Sequence, residues 1–322
     1  MHVLILGAAG MIGRKVTSAL VAKGTVGGQK ITRLTLADIV APAAPHTDIP
    51  CARMALNFGA TDAPEKLLAT RPDAIVHLAA IVSGEAEADF DKGYAINLDA
   101  TRRLLEAIRH LPDYQPRLVF ASSIAVFGAP FPDPIPDDYK LTPKSSYGIQ
   151  KAATELLIND WSRRGFIDGI SLRLPTICIR PGAPNKAASS FFSGILREPL
   201  AGLPANLPVP DSTRHWFASP RSATGFFLHA LDMETGPLGA DRAINMPGLS
   251  ATVGEEIEAL RRAAGQSAVN LIRRDPDPAV LAIVQGWPTR FHTARANALG
   301  FTAETTFDQI VDIYLTEDRP KP

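Results

Sequence analysis

His2-Val3-Leu4-Ile5-Leu6-Gly7-Ala8-Ala9-Gly10-Met11-Ile12-Gly13 decides how the rest of the chain is read. A short apolar run ends in three glycines spaced three apart and passes into a helical pattern, Met11 to Lys23. Gly7 permits a tight turn, Gly10 lets backbone approach a pyrophosphate, and Gly13 allows close helix packing, while the helix N-terminus favours an anion. The stretch predicts a strand, turn and helix that bind a dinucleotide, with Met11 and Ile12 part of the same phosphate-facing turn. The next strand, read over Ile31 to Ala37, delivers Asp38 where a carboxylate would face the adenine ribose and accept from its hydroxyls. Ile39 and Val40 follow it and supply no arginine for a 2′-phosphate, so the expected cofactor is NAD in preference to NADP.

Working outward, short β-branched runs continue to alternate with helical patterns: Ala74 to Ala79, a helix near Tyr94 to His110, Arg117 to Ser122, a long helix from Ser146 to Arg164, and a strand from Ile170 to Ile177. Strands separated by helices imply parallel βαβ units buried on both faces. The expected fold class is α/β, a doubly wound parallel sheet (Rossmann) with a smaller, discontinuous C-terminal substrate domain. Proline marks the division. Only five of 27 prolines precede residue 112, and the later ones should interrupt regular elements and fix loops. Arg180 to Asp211 reads as a loop-rich insertion, Ser219 to Leu231 as a helix, and Arg242 to Met246 as a strand returning to the sheet. Helices over Glu255 to Ala264 and Phe307 to Leu315 close the chain. The expected domains are 1–178, completed by about 214–247, and 179–213 with 248–322.

Among 322 residues, 33 Lys+Arg balance 33 Asp+Glu, which argues against nucleic acid or an anionic membrane as partner. The zero is uneven: from Arg173 to Arg221 six basic residues (Arg173, Arg180, Lys186, Arg197, Arg214, Arg221) face two acidic ones (Glu198, Asp211), which suits a small anionic substrate. Cys51 and Cys178 follow no metal-ligand spacing and build no disulfide framework, so no metal and a reducing, cytoplasmic setting are expected. The longest apolar run, Ala74 to Val82, is interrupted by His77 and is too short to cross a bilayer. No basic region or cleavage site precedes the first strand, so no targeting segment is expected there.

Tyr147-Gly148-Ile149-Gln150-Lys151 places a phenol and an amine four residues apart at the start of a helix, on one face. A phenol of reference pKa about 10 becomes a credible base when an ammonium stands beside it. Ser122-Ser123 ends a strand about 25 residues earlier, at the sheet edge where such folds bind ligands. Gly7-x-x-Gly10-x-x-Gly13, His77-Leu78-Ala79-Ala80, Ser122-Ser123 and Tyr147-x-x-x-Lys151, in this order, resemble the extended short-chain dehydrogenase/reductase family, the branch containing nucleotide-sugar epimerases. The resemblance covers about the first 180 residues. It implies a Ser-Tyr-Lys catalytic group of Ser123, Tyr147 and Lys151, with Ser122 beside the substrate, and adds Asp62, Ala79, Ala80, Asn97 and Pro175 to the cofactor side. Two positions depart from the pattern. Phe58-Gly59-Ala60 stands where many members carry an adenine-binding Asp, leaving Asp62 a few residues later, and Ala100 replaces a usual glycine.

Arg180 to Lys186, Ala187 to Phe192, Arg197 to Leu200, Trp287-Pro288, Arg295 and Leu299 to Phe301 resemble one subgroup of that family, whose members oxidise the C2 hydroxyl of a four-carbon sugar acid with NAD. Arg180, Asn185, Lys186, Arg214 and Arg221 fall in or beside these segments and are the donors available to the substrate carboxylate, the first four being the candidates for it. His215 and Trp216 stand between a pocket wall and a packed aromatic pair. The rival readings are a nucleotide-sugar 4-epimerase with tightly bound NAD and a non-catalytic NAD-sensing module. A dehydratase is disfavoured because Ile124-Ala125 lacks the acidic pair of that branch. The resemblance also implies a homodimer or higher homo-oligomer.

Overall fold

The computed structural model describes residues 1–182 and 189–319. The chain divides into two compact units, Met1–Val126 with Ser145–Arg173 and Thr224–Ile244, and Phe127–Lys144 with Leu174–Ala223 and Asn245–Pro322. Phe127–Lys144, which the sequence reading assigned to the first domain, belongs to the second unit.

A seven-stranded sheet runs in the spatial order Ala243–Asn245, Asp168–Leu174, Arg117–Ser123, Ala74–His77, His2–Leu6, Arg33–Asp38, Cys51–Ala55. The pairings from Arg117–Ser123 across to Cys51–Ala55 are parallel. Val3 to Leu6 are 0–2% exposed, which is why the opening run is apolar without alternation. The chain first builds outward from His2–Leu6 to Cys51–Ala55, then returns to add Ala74–His77 on the other side. That reversal is the switch point at which doubly wound sheets hold ligands. Leu6 pairs in register with Ala37 and with His77, so the residues that follow the three strands emerge side by side. Leu4, Leu104, Phe120 and Ile158 belong to one buried cluster of this unit.

In the second unit Arg214–Ala218 pairs antiparallel with Leu249–Thr252 and parallel with Thr176–Ile177. Ala205–Leu207 pairs with Ile272–Arg274. Phe192, Phe217, Ile257 and Ile310 share its buried cluster. The expectation of a loop-rich stretch from Arg180 to Asp211 is corrected here, because Ser190–Leu200 is a helix that buries Phe192, Ile195, Leu196 and Pro199. Their spacing of three, four and seven is helical, but Ser190, Gly194 and Pro199 obscure it in the text.

Candidate active site

In the first unit the glycine turn is built as the motif requires. Gly7 has φ +83°, and a Cβ there would stand 2.8 Å from the Ala79 nitrogen and 2.9 Å from the Leu78 carbonyl carbon. A Cβ at Gly13 would stand 2.2 Å from the Gly7 oxygen and 2.7 Å from the Ala8 Cα, so the helix reaches the turn only without a side chain. Gly10 differs: among the described residues the Gly7 oxygen, at 3.2 Å, is the one neighbour within 4 Å of its Cβ position, so the outer side of the turn is open. Met11–Lys23 starts with no side-chain cap and no acidic residue in its first turn, leaving the positive end of its dipole to an anion. Asp38 stands at the end of its strand, where Oδ2 accepts from the Ala9 N–H at 2.9 Å and Oδ1 from the Ile39 N–H at 2.7 Å. An open glycine turn, an uncapped helix start and a carboxylate at the second strand end fit a dinucleotide.

Other residues read as cofactor contacts have additional tasks. Asn97 is 2% exposed in a π-helical turn, Ala95–Asp99, a feature that sequence periodicity does not show. Its Oδ1 accepts from the Ile81 N–H at 2.9 Å, and its Nδ2 donates to the Ile81 carbonyl at 3.3 Å and to Gln150 Oε1 at 2.8 Å. Asn97 therefore braces the loop after Ala74–His77 against the Ser146–Arg163 helix. Ala79 is half-buried and Ala80 exposed in that loop, while exposed Asp62 pairs with Lys66 at 2.5 Å.

The Ser146–Arg163 helix is capped by Ser145, whose Oγ accepts from the Gly148 N–H at 3.1 Å, and this fixes the turn carrying Tyr147. Lys151, one turn on and 2% exposed, donates from Nζ to the Ala121 carbonyl at 2.8 Å. The same Nζ lies 4.5 Å from the Phe120 ring centroid and 5.5 Å from that of Tyr147. Burial lowers the Lys151 amine to about 7, against the opposing pull of Glu155. Ser123 Oγ accepts from the Ala125 N–H at 3.1 Å, which starts the following turn and orients its hydroxyl. Strand end and helix thus bring Tyr147 and Lys151 to the edge that carries Ser123.

Ser122 takes a different part from the one the sequence suggested. It is 2% exposed and donates to Glu155, so its hydroxyl faces inward and not towards a substrate. Glu155, 1% exposed, also accepts from Arg173, by Nε at 3.1 Å to each oxygen and by Nη2 at 2.9 Å. The sequence reading passed over Glu155. Its signal is the repeat of four along one helix face, Tyr147, Lys151, Glu155. His77, 1% exposed, bonds Thr101 Oγ1 at 2.9 Å and meets Phe58 and Phe120 edge-on; burial lowers it to about 3.

In the second unit Arg180 Nε donates to the Ile177 carbonyl at 3.0 Å. Arg214 Nη1 donates to the Ser250 carbonyl at 3.1 Å, and Nη2 stands 3.5 Å from Glu255. Asn185 and Lys186 lie outside the described residues, and Pro175 is buried. His215 stacks on Phe192 at 5.1 Å and bonds Thr176 Oγ1 at 2.6 Å, so it is a packed core residue. Trp216 is 7% exposed and donates to the Met246 carbonyl at 3.3 Å. Among the described residues no group of three or more His, Cys, Asp and Glu is arranged to hold a metal, and no helix is long and apolar enough to cross a membrane.

The model of the NAD dependent epimerase/dehydratase family matches residues 3–217. The chain belongs to this family. D-erythronate dehydrogenase of Cupriavidus necator is 46% identical, over 98% of this chain and 98% of the relative. D-erythronate dehydrogenase of Haemophilus influenzae is 43% identical, over 99% and 100%. A solved structure described as a nucleoside-diphosphate-sugar epimerase from Agrobacterium tumefaciens is 56% identical with a TM-score of 0.96, covering 99% of this chain and 94% of that one. A GalE-like L-threonine dehydrogenase from Cupriavidus necator, 23% identical with a TM-score of 0.83 over 98% and 99%, shares the fold.

Proposed function

We propose that this protein is an NAD-dependent dehydrogenase that oxidises the C2 hydroxyl of a small sugar acid, D-erythronate, to the 2-oxo acid. The observation that carries the reading is end-to-end similarity to two D-erythronate dehydrogenases, at 46% and 43% identity. Gly7, Gly10, Met11, Ile12 and Gly13 hold the cofactor's pyrophosphate, and Asp38 its adenine ribose. NAD supplies the hydride acceptor. Tyr147 takes the proton of the C2 hydroxyl, Ser123 donates a hydrogen bond to the same oxygen, and Lys151 favours the phenolate and holds the nicotinamide ribose. Arg180, Arg214, Asn185 and Lys186 are the candidates for the substrate carboxylate. The enzyme works in the cytoplasm as a homodimer or higher homo-oligomer. The second point is supported by exposed Phe90, Ile149 and Leu156 on neighbouring helices of the first unit, and light scattering of the purified protein checks it.

The description of the 56% identical structure as a nucleoside-diphosphate-sugar epimerase favours a second reading, in which NAD stays bound and is regenerated each cycle. One experiment separates the two. Purified protein is mixed with NAD and D-erythronate, L-threonate or five-carbon aldonates, and NADH is followed by absorbance; in parallel, UDP-glucose is incubated without added cofactor and assayed for its 4-epimer. The dehydrogenase gives stoichiometric NADH with one four-carbon acid. Sugar exchange without net NADH supports the epimerase, and neither signal leaves the sensor.

A further inference from the structure

Lys151 and Arg173 are two buried cations that depend on one carboxylate. Glu155 lies one helical turn beyond Lys151 and its oxygens accept from the Ser122 hydroxyl and the Arg173 guanidinium. Ser122 is the residue between Ala121, whose carbonyl receives Lys151, and Ser123. We propose that Glu155 is a positioning residue of the reaction, whose buried carboxylate keeps Lys151 charged and fixes the strand end that carries Ser123. The inference rests on the catalytic roles proposed above for Ser123, Tyr147 and Lys151.

Among the described residues, Glu155 is the carboxylate whose charge acts on the Lys151 amine. Tyr147, on the same helix, presents its ring. His77, on the neighbouring strand, is held neutral by burial and the nearby ammonium. Phe120 offers a ring face and Ala121 a carbonyl. Arg173, on the strand next to Arg117–Ser123, is positive and bonds both oxygens of Glu155. Burial favours the neutral amine, and the Glu155 charge opposes that most strongly because the surroundings are apolar. A surface carboxylate would not do this.

The test uses Glu155→Gln and the double variant Glu155→Gln/Arg173→Gln in the full-length protein. The single variant takes the buried carboxylate away from Arg173 and loses stability for that reason; the double variant replaces the ion pair by neutral groups of similar size. Lys151 is titrated by NMR of lysine-labelled protein, with its signal assigned by its loss in Lys151→Met, and kcat/KM is measured against pH with NAD and D-erythronate. The Lys151 midpoint should fall by about one pH unit or more in Glu155→Gln, which removes the carboxylate and keeps the Arg173 cation, and by less in the double variant, which removes both charges; the ionisation it contributes to the kcat/KM profile should move with it. A midpoint unchanged in both variants overturns the proposal and leaves Glu155 as a structural ion pair, even where Tm has dropped. If the wild-type protein oxidises no sugar acid, the functional reading fails, while the NMR midpoint still decides whether Glu155 controls Lys151.

Discussion

Tyr147 and Lys151 show how a pair without meaning on its own acquires one from its surroundings. Their spacing occurs on any helix, but here Lys151 is buried against the end of the strand that carries Ser123, and its hydrogen bond to Ala121 sets its height along that edge. Removing the phenol oxygen in Tyr147→Phe should lower kcat about a thousandfold, while NAD affinity, measured by calorimetry, stays within about threefold because the pyrophosphate contacts are untouched. A variant that keeps most of its activity removes Tyr147 from the role of base. The residue types at this edge were legible in the sequence; two of their tasks were not. Ser122 and Asn97 are polar residues in the right places, yet their side chains satisfy Glu155 in one case and Ile81 with Gln150 in the other. Such partners come from elements 16 to 53 residues away, and no local pattern announces them.

At the scale of elements, the opening strand, turn and helix were readable because each glycine answers a local steric demand. Gly13→Ala puts a methyl group against the Gly7 oxygen and Ala8 backbone, neither of which can turn aside, so the helix must move off the turn. The variant should lose about 1–3 kcal/mol of stability and bind NAD more weakly, read by chemical denaturation with and without the cofactor. A larger stabilisation by NAD than in wild type would contradict the close packing assigned to this position. Ser145→Ala removes the cap of the Ser146–Arg163 helix and should cost about 1 kcal/mol, with kcat falling more than KM rises if the proposed base Tyr147, in the first turn, is displaced. Other elements escaped the reading for physical reasons. Cys51–Ala55 is an edge strand, Cys-Ala-Arg-Met-Ala, half-exposed and without a β-branched residue. Tyr94–His110 hides a π-helical turn, because one extra residue per turn leaves the apolar pattern on either side intact.

For the whole molecule, the basic excess along the chain is met in space by acids from other segments. The six basic residues between Arg173 and Arg221 include four whose guanidinium groups meet acids: Arg173 with Glu155, Arg197 with Glu198, Arg214 with Glu255 and Arg221 with Glu317. Three of those acids lie outside the segment, so the excess seen along the chain is largely neutralised in space. Stability against pH depends instead on buried groups held in the neutral form. His77 in the first unit and His215 in the second both fall to about 3 through burial, below the ordinary value of 6.5. Between pH 6.5 and 3 the unfolded chain binds protons that these rings refuse, so stability is lost as pH falls through that window, by about 1.4 kcal/mol per pH unit for each histidine. Glu256 acts with the opposite sign. It is fully buried, neither oxygen has a hydrogen-bond partner among the described residues, and burial raises it well above the usual carboxylate range. Above about pH 4.5 the unfolded chain releases a proton that the folded chain keeps, so this residue costs stability as pH rises. Glu256→Leu should therefore stabilise the protein more at pH 8 than at pH 5 in urea unfolding, while His77→Gln should flatten the acid limb. Equal gains at the two pH values would show that Glu256 titrates in the folded protein as it does in the unfolded chain.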